Sequence, residues 1–65
     1  MMGEYINESN GCTYIVQKEC EIYRPESDTW VSGVYYRELL DDGHLHGHYT
    51  MDKKTFFTNF KRIEE

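Results

Sequence analysis

The sequence predicts a mainly β domain, a small barrel of about five antiparallel strands with one short helical turn near the C-terminus. Three observations predict it. The stretch Trp30 to Tyr49, WVSGVYYRELLDDGHLHGHY, reads as a hairpin: an aromatic and β-branched run, an Asp-Asp-Gly break, then a second alternating run. Asp-Gly between such runs is a strong hairpin signal. Residues 12–23, CTYIVQKECEIY, alternate apolar and polar positions, as a half-buried antiparallel strand does. Six Tyr, three Phe and one Trp supply bulk for a core. Each can bury roughly 150–250 Å², and at about 25 cal/mol per Å² half of them furnish most of a small core.

The chain has 65 residues, one domain spanning 1–65. Such a chain buries only about 60% of the surface its unfolded form exposes, so it depends on a staple, oligomerisation or dense aromatic packing. Met1 to Gly3 are expected to fray. Glu4 to Asn7 form a short strand candidate, and Glu8-Ser9-Asn10-Gly11 a turn, because Asn-Gly accepts positive φ cheaply. With Tyr5 and Tyr14 on either side, this is a first hairpin. In 12–23, Tyr14, Val16, Cys20 and Ile22 share one face, interrupted by Lys18, which signals a bulge or a strand that leaves the core midway. A helix would gather Val16, Glu19 and Tyr23 instead, which is no apolar stripe.

Arg24 to Thr29 form a loop around Pro25, the sole proline. In the strand that follows, Gly33 marks a bulge or a close backbone approach. Two registers compete there: Val34 and Tyr36 inward, or Val31, Tyr35 and Leu39 inward. The preferred one turns Trp30, Val34, Tyr36 and Leu40 inward. After Asp42-Gly43, Leu45 and Tyr49 share one face and His44, His46 and His48 the other. Thr50 is the expected N-cap of a helical turn, with Asp52 in its first turn. Phe56, Phe57 and Phe60 then plug the open end of the barrel, and Phe60 to Ile63 begin a closing strand.

The formal charge is −5, which opposes non-specific binding to a nucleic-acid backbone. Residues 4–42 carry nine acids against Lys18, Arg24 and Arg37, whereas 51–62 carry Asp52 against Lys53, Lys54, Lys61 and Arg62. That asymmetry can steer a partner with a basic face, although an acidic surface also serves simple solubility. Cys12 and Cys20 on one strand lie about 26 Å apart, far beyond disulfide reach. Two free thiols suit a reducing compartment. With neither a signal-peptide pattern nor a run of about 18 apolar residues, the expected location is cytoplasmic and off the membrane.

The motifs Gly3-Glu4-Tyr5, Gly11-Cys12-Thr13-Tyr14-Ile15-Val16, Trp30 to Arg37, Asp42-Gly43 and Thr50 to Ile63 resemble a family of small SH3-like β-barrels of unknown function found in bacteria and phages. The departure lies at His44 to Tyr49, where that family usually shows an aromatic followed by Val-Arg-Pro. The resemblance implies fold more than activity, together with a phage or bacterial origin.

Three constellations bear on function. His44, His46 and His48 on one strand face could bring two imidazoles to Zn²⁺ or Cu²⁺, with Glu38, Asp41 or Asp42 completing the set; the competing reading is a solvated polar strip. The acids and cysteines show no spacing that pairs a base with an acid or a nucleophile, so no enzyme is expected. Tyr5, Tyr14, Tyr23, Tyr35, Tyr36, Tyr49 and Trp30 exceed what a small core hides, and exposed Tyr and Trp are typical binding anchors. The reading that fits is a non-catalytic binding module, a phage or bacterial accessory protein that docks on a host protein through an aromatic and acidic surface, with inhibition as one version. Trp30, Tyr35, Asp41 and Asp42 are expected to contribute. The alternatives are a His-rich metal-binding protein and a nucleic-acid-binding module that uses the basic C-terminal segment. A homodimer would assign the exposed aromatics to self-association.

Overall fold

The computed structural model describes residues 3–63. Five strands and one helix follow in the order β1 (Gly3–Asn7), β2 (Thr13–Arg24), β3 (Thr29–Leu39), β4 (Leu45–Asp52), α1 (Lys53–Asn59) and β5 (Phe60–Arg62). All strand pairs are antiparallel, in one sheet ordered β4-β3-β2-β1-β5. The mainly β class, the strand number and the short helix before the last strand therefore match the sequence. Among the described residues no ladder joins the edge strands β4 and β5; the helix connects them instead.

That connection sets the curvature. A flat five-stranded sheet would separate its edges by roughly 19 Å, at about 4.8 Å per strand spacing. A seven-residue helix spans only about 10 Å, so the sheet must coil to let α1 pass from edge to edge. Asp52 starts the helix: its carboxylate accepts from the Thr55 N–H at 2.9 Å while its own backbone stays extended. Thr50, the expected cap, lies in β4 opposite Tyr35, because the β3–β4 ladder continues to Gly33 and Asp52. Phe56 and Phe60, four residues apart, project to the same side. They stack with ring centroids 4.2 Å apart and planes nearly parallel. Tyr5, Val16, Val34 and Tyr36 complete the buried cluster, with Tyr14 and Met51 against it. Phe57 is partly exposed, its ring tilted against Tyr5 at 5.7 Å.

The first hairpin pairs Tyr5 with Tyr14. Its turn uses Gly11 at φ 74° and two Asn carboxamides: Asn7 accepts from the Ser9 N–H and Asn10 from the Cys12 N–H. Gly3 is not frayed but opens β1 opposite Val16; Met1 and Met2 lie outside the described residues. Gly33 marks a close approach and no bulge. A Cβ there would come within 2.6 Å of the Ile22 side chain and 3.0 Å of the Met51 carbonyl.

Two bulges decide which side chains face the core. In β2 the register shifts between Val16 and Lys18, so Val16 is buried while Lys18 stands opposite Tyr35 on the outer face. In β4, Tyr49 pairs with Tyr36 and His46 with Glu38, leaving Gly47 and His48 against Arg37. Gly47 has φ 75°, the conformation of a bulge whose first residue is glycine. Arg37 donates to the Gly47 and Leu45 carbonyls at 2.8 and 3.3 Å, fixing the bulge. The expected alternation of 44–49 is thereby overturned. Leu45 and Tyr49 fall on opposite faces, and so do His46 and His48.

The inward placement of Val34 and Tyr36 is correct, and that of Trp30 and Leu40 is not. Trp30 shares the face of Val34, but β1 pairs β2 only as far as Val16 and β4 pairs β3 only as far as Gly33. No second layer reaches Trp30, which is 64% exposed. Leu40 lies in the turn beyond β3 and is also exposed.

Removing a fully buried aromatic ring typically costs about 3–5 kcal/mol, comparable to the whole stability of a domain this small, about 3–10 kcal/mol at roughly 0.05–0.15 kcal/mol per residue. Phe56→Ala should leave the protein largely unfolded at 25 °C, read by urea titration of the far-ultraviolet dichroism. The Thr55 hydrogen bonds, then the Arg24 guanidinium, hold the Asp52 carboxyl below its ordinary value of 3.8. A depressed carboxylate stabilises the fold above its unfolded value, and the effect is lost as pH falls through the lower folded value. The stability gap between wild type and Asp52→Asn should therefore be present at pH 7 and shrink below pH 3.8, followed by thermal melts across that range.

Candidate functional site

The outer half of the β2–β3 hairpin extends beyond every other strand. From Glu21 to Arg24 on β2 and Thr29 to Ser32 on β3 it is a two-stranded ribbon, and the whole molecule measures 40 × 20 × 20 Å. Residues 25–28 form its tip, where the Ser27 N–H donates to the Arg24 carbonyl at 3.2 Å. Asp28 has φ 52°, a left-handed conformation that Asp tolerates better than most residues. This four-residue loop places Arg24 opposite Thr29 and therefore Tyr23 opposite Trp30.

Tyr23 and Trp30 form the exposed end of this arm. Their ring centroids are 5.3 Å apart with planes tilted by 53°, and both rings remain open to solvent. The Tyr23 hydroxyl donates to Asp28 at 2.5 Å, and that bond pushes its pKa up. Acidic residues flank the rings. Between residues 19 and 32 stand Glu19, Glu21, Glu26 and Asp28 against one base, Arg24. Arg24 is itself engaged, reaching Asp52 at 2.9 Å and Glu26 at 3.8 Å, and Lys53 meets Glu19 at 3.0 Å. The Lys53–Glu19 bridge ties the root of the arm to the start of α1, and the Arg24–Asp52 bridge ties its outer end there. An open cleft of about 620 Å³ lined by Glu19, Cys20, Glu21 and Ser32 lies on the arm.

The four residues expected to form one docking surface do not meet. Trp30 sits at the arm. Asp41 and Asp42 sit in the β3–β4 turn beyond the other end of β3, whose stretch from Trp30 to Leu39 spans about 30 Å at roughly 3.3 Å per residue. Asp42 serves the turn itself: it accepts from the His44 N–H and lies 2.9 Å from the His44 imidazole. Tyr35 lies between, on the outer face, stacked on His48 with its hydroxyl 2.7 Å from Nδ1 and Lys18 5.6 Å from its ring centre. The histidines are divided as well. His44 is in the turn, His46 opposite Glu38, and His48 on Tyr35. Among the described residues no group of three or more His, Cys, Asp and Glu converges as a metal site would.

Cys12 and Cys20 are free thiols, partly buried in different parts of β2 and its entry. Of the basic C-terminal residues, Lys53 is paired with Glu19 and Lys61 lies 3.8 Å from Glu8. Among the described residues no helix is long and apolar enough to cross a membrane. Burial, and then the neighbouring Tyr14 and Tyr49, push the Tyr36 hydroxyl above its ordinary value of 10.0; it belongs to the core and is no exposed acid or base.

Tyr23 is the site residue that sequence reasoning missed. The sequence sets it on the polar face of β2 with Ile15, Gln17, Glu19 and Glu21, but the bulge at Gln17 moves everything from Glu19 to Tyr23 onto the face of Val34, and its pairing with Trp30 depends on the loop length. Comparison with protein families, curated proteins and solved structures finds no match to this chain.

Trp30 is the sole tryptophan, so its fluorescence reports the arm alone. Acrylamide should quench it nearly as efficiently as it quenches free tryptophan, and the quenching should stay unchanged in the Asp42→Asn variant at the opposite end.

Proposed function

We propose that the protein is a non-catalytic docking module that engages a protein partner through the Tyr23–Trp30 end of the β2–β3 arm. The observation that carries this reading is a large aromatic pair left uncovered on a ribbon that no other strand supports. Burying Trp30 there would be expected to add more to binding than to folding. Tyr and Trp bring large, stiff, amphipathic contact area, which is why they dominate binding hot spots. The free edges of the ribbon also offer unpaired backbone N–H and C=O groups to an extended partner.

The resemblance to small SH3-like barrels of bacteria and phages extends the proposal to an accessory protein of that origin acting in the cytoplasm. Inhibition of a host nucleic-acid-handling enzyme through the acidic face is one form of it. The site in this proposal is Trp30 with Tyr23 and the flanking acids; Tyr35, Asp41 and Asp42 lie too far along β3 to share it.

The test is a pull-down from bacterial lysate with the wild-type chain and with Trp30→Ala. The expected result is one stoichiometric partner recovered by the wild type and lost with Trp30→Ala, while the dichroism spectra and melting temperatures of the two stay within a few degrees. A partner retained at full yield by Trp30→Ala would overturn the arm as the docking surface.

A further inference from the structure

We infer that the segment received by the arm is basic and extended, with an arginine or lysine side chain lying over the Tyr23–Trp30 rings and its charge directed at Glu21. This rests on the docking reading above and adds the chemistry of the occupant.

The face is defined by the ladder. Glu19 pairs with Val34, Glu21 with Ser32 and Tyr23 with Trp30, and directly opposed residues share a face. Val34 is buried in the core. Moving outward from it, the same face carries Glu21 with Ser32 and then the two rings, at steps of about 6.6 Å. A carboxylate thus stands one step from an open aromatic face. The rings attract a cation through their negative faces and the carboxylate through its charge, and a long side chain with a charged head satisfies both at once.

Compensation elsewhere singles out Glu21. Glu19 is bridged to Lys53, Arg24 to Asp52, and Asp28 accepts from the Tyr23 hydroxyl. Among the described residues Glu21 has no ion-pair partner, and it lines the open cleft on the arm. An acidic segment would meet a like charge beside the rings. A neutral apolar one would cover the rings and leave Glu21 facing it unpaired. A basic one pairs the charge and covers the rings, so charge complementarity favours it.

The experiment is selection from a random-peptide display library on the full chain, with depletion on Trp30→Ala and titration of the recovered peptides against Trp30 fluorescence. The expected peptides carry Arg or Lys. Their affinity should fall about tenfold in Glu21→Gln, fall again with added salt, and stay unchanged in Asp41→Asn. Both exposed substitutions should leave the melting curve in place. Trp30-dependent peptides that are neutral or acidic, or that bind Glu21→Gln as well as the wild type, would overturn the basic occupant and leave the arm as a docking surface. Recovery of no Trp30-dependent peptide would overturn the inference and count against the docking reading as well.

Discussion

The stacked rings of Phe56 and Phe60 are the contact on which the shape of this protein depends. They lie across the junction of α1 and β5, so the segment that leaves one sheet edge and begins the other is held by the buried cluster itself. Tyr5, Tyr36 and Val34 close on them from β1 and β3. Without that cluster, nothing would draw a five-stranded sheet into a coil tight enough for a two-turn helix to bridge. A chain of this length has one core, and here it is built from four aromatic rings and two valines.

The same core defines where the fold stops. Its buried residues gather around β1, the inner ends of β2 and β3, and the α1–β5 junction. β2 and β3 are longer than the strands beside them, and their outer halves continue as a ribbon with solvent on both edges. Two ion pairs, Lys53 with Glu19 at its root and Arg24 with Asp52 at its outer end, link the ribbon to the helix N-terminus. Exposed pairs of this kind contribute little to stability. Their geometric effect is to hold β2, at Glu19 and at Arg24, against the start of α1. Tyr23 and Trp30 therefore stand on a supported element, which lowers the ordering cost of binding.

The bulges explain why the outer face differs from a simple alternation. At Gln17 and at Gly47 one extra residue enters a strand, and each insertion exchanges the faces of everything beyond it. Lys18 moves out to Tyr35, and the histidines part. Gly47 is required twice over: it holds a positive φ, and the Tyr49 ring occupies the space a Cβ would need. The outer face so formed carries Lys18, Tyr35, Arg37 and His48, distinct in character from the acidic arm.

The sequence by itself determined the strand runs, the Asn-Gly and Asp-Gly turns, the inward Val16, Val34 and Tyr36, and the short helix with its phenylalanines, because these follow from local propensity and periodicity. The irregularity at Lys18 was also legible, since a lysine interrupting an apolar alternation must be moved off the core face. The tertiary structure decided what depends on neighbours. Trp30 has the spacing of a core residue and is exposed because adjacent strands end before reaching it. The histidines have the spacing of a single face and are divided by a bulge that only the β3–β4 register shows. The partnership of Tyr23 with Trp30 exists only across the ladder, since periodicity reports the face a residue occupies and not what stands opposite it.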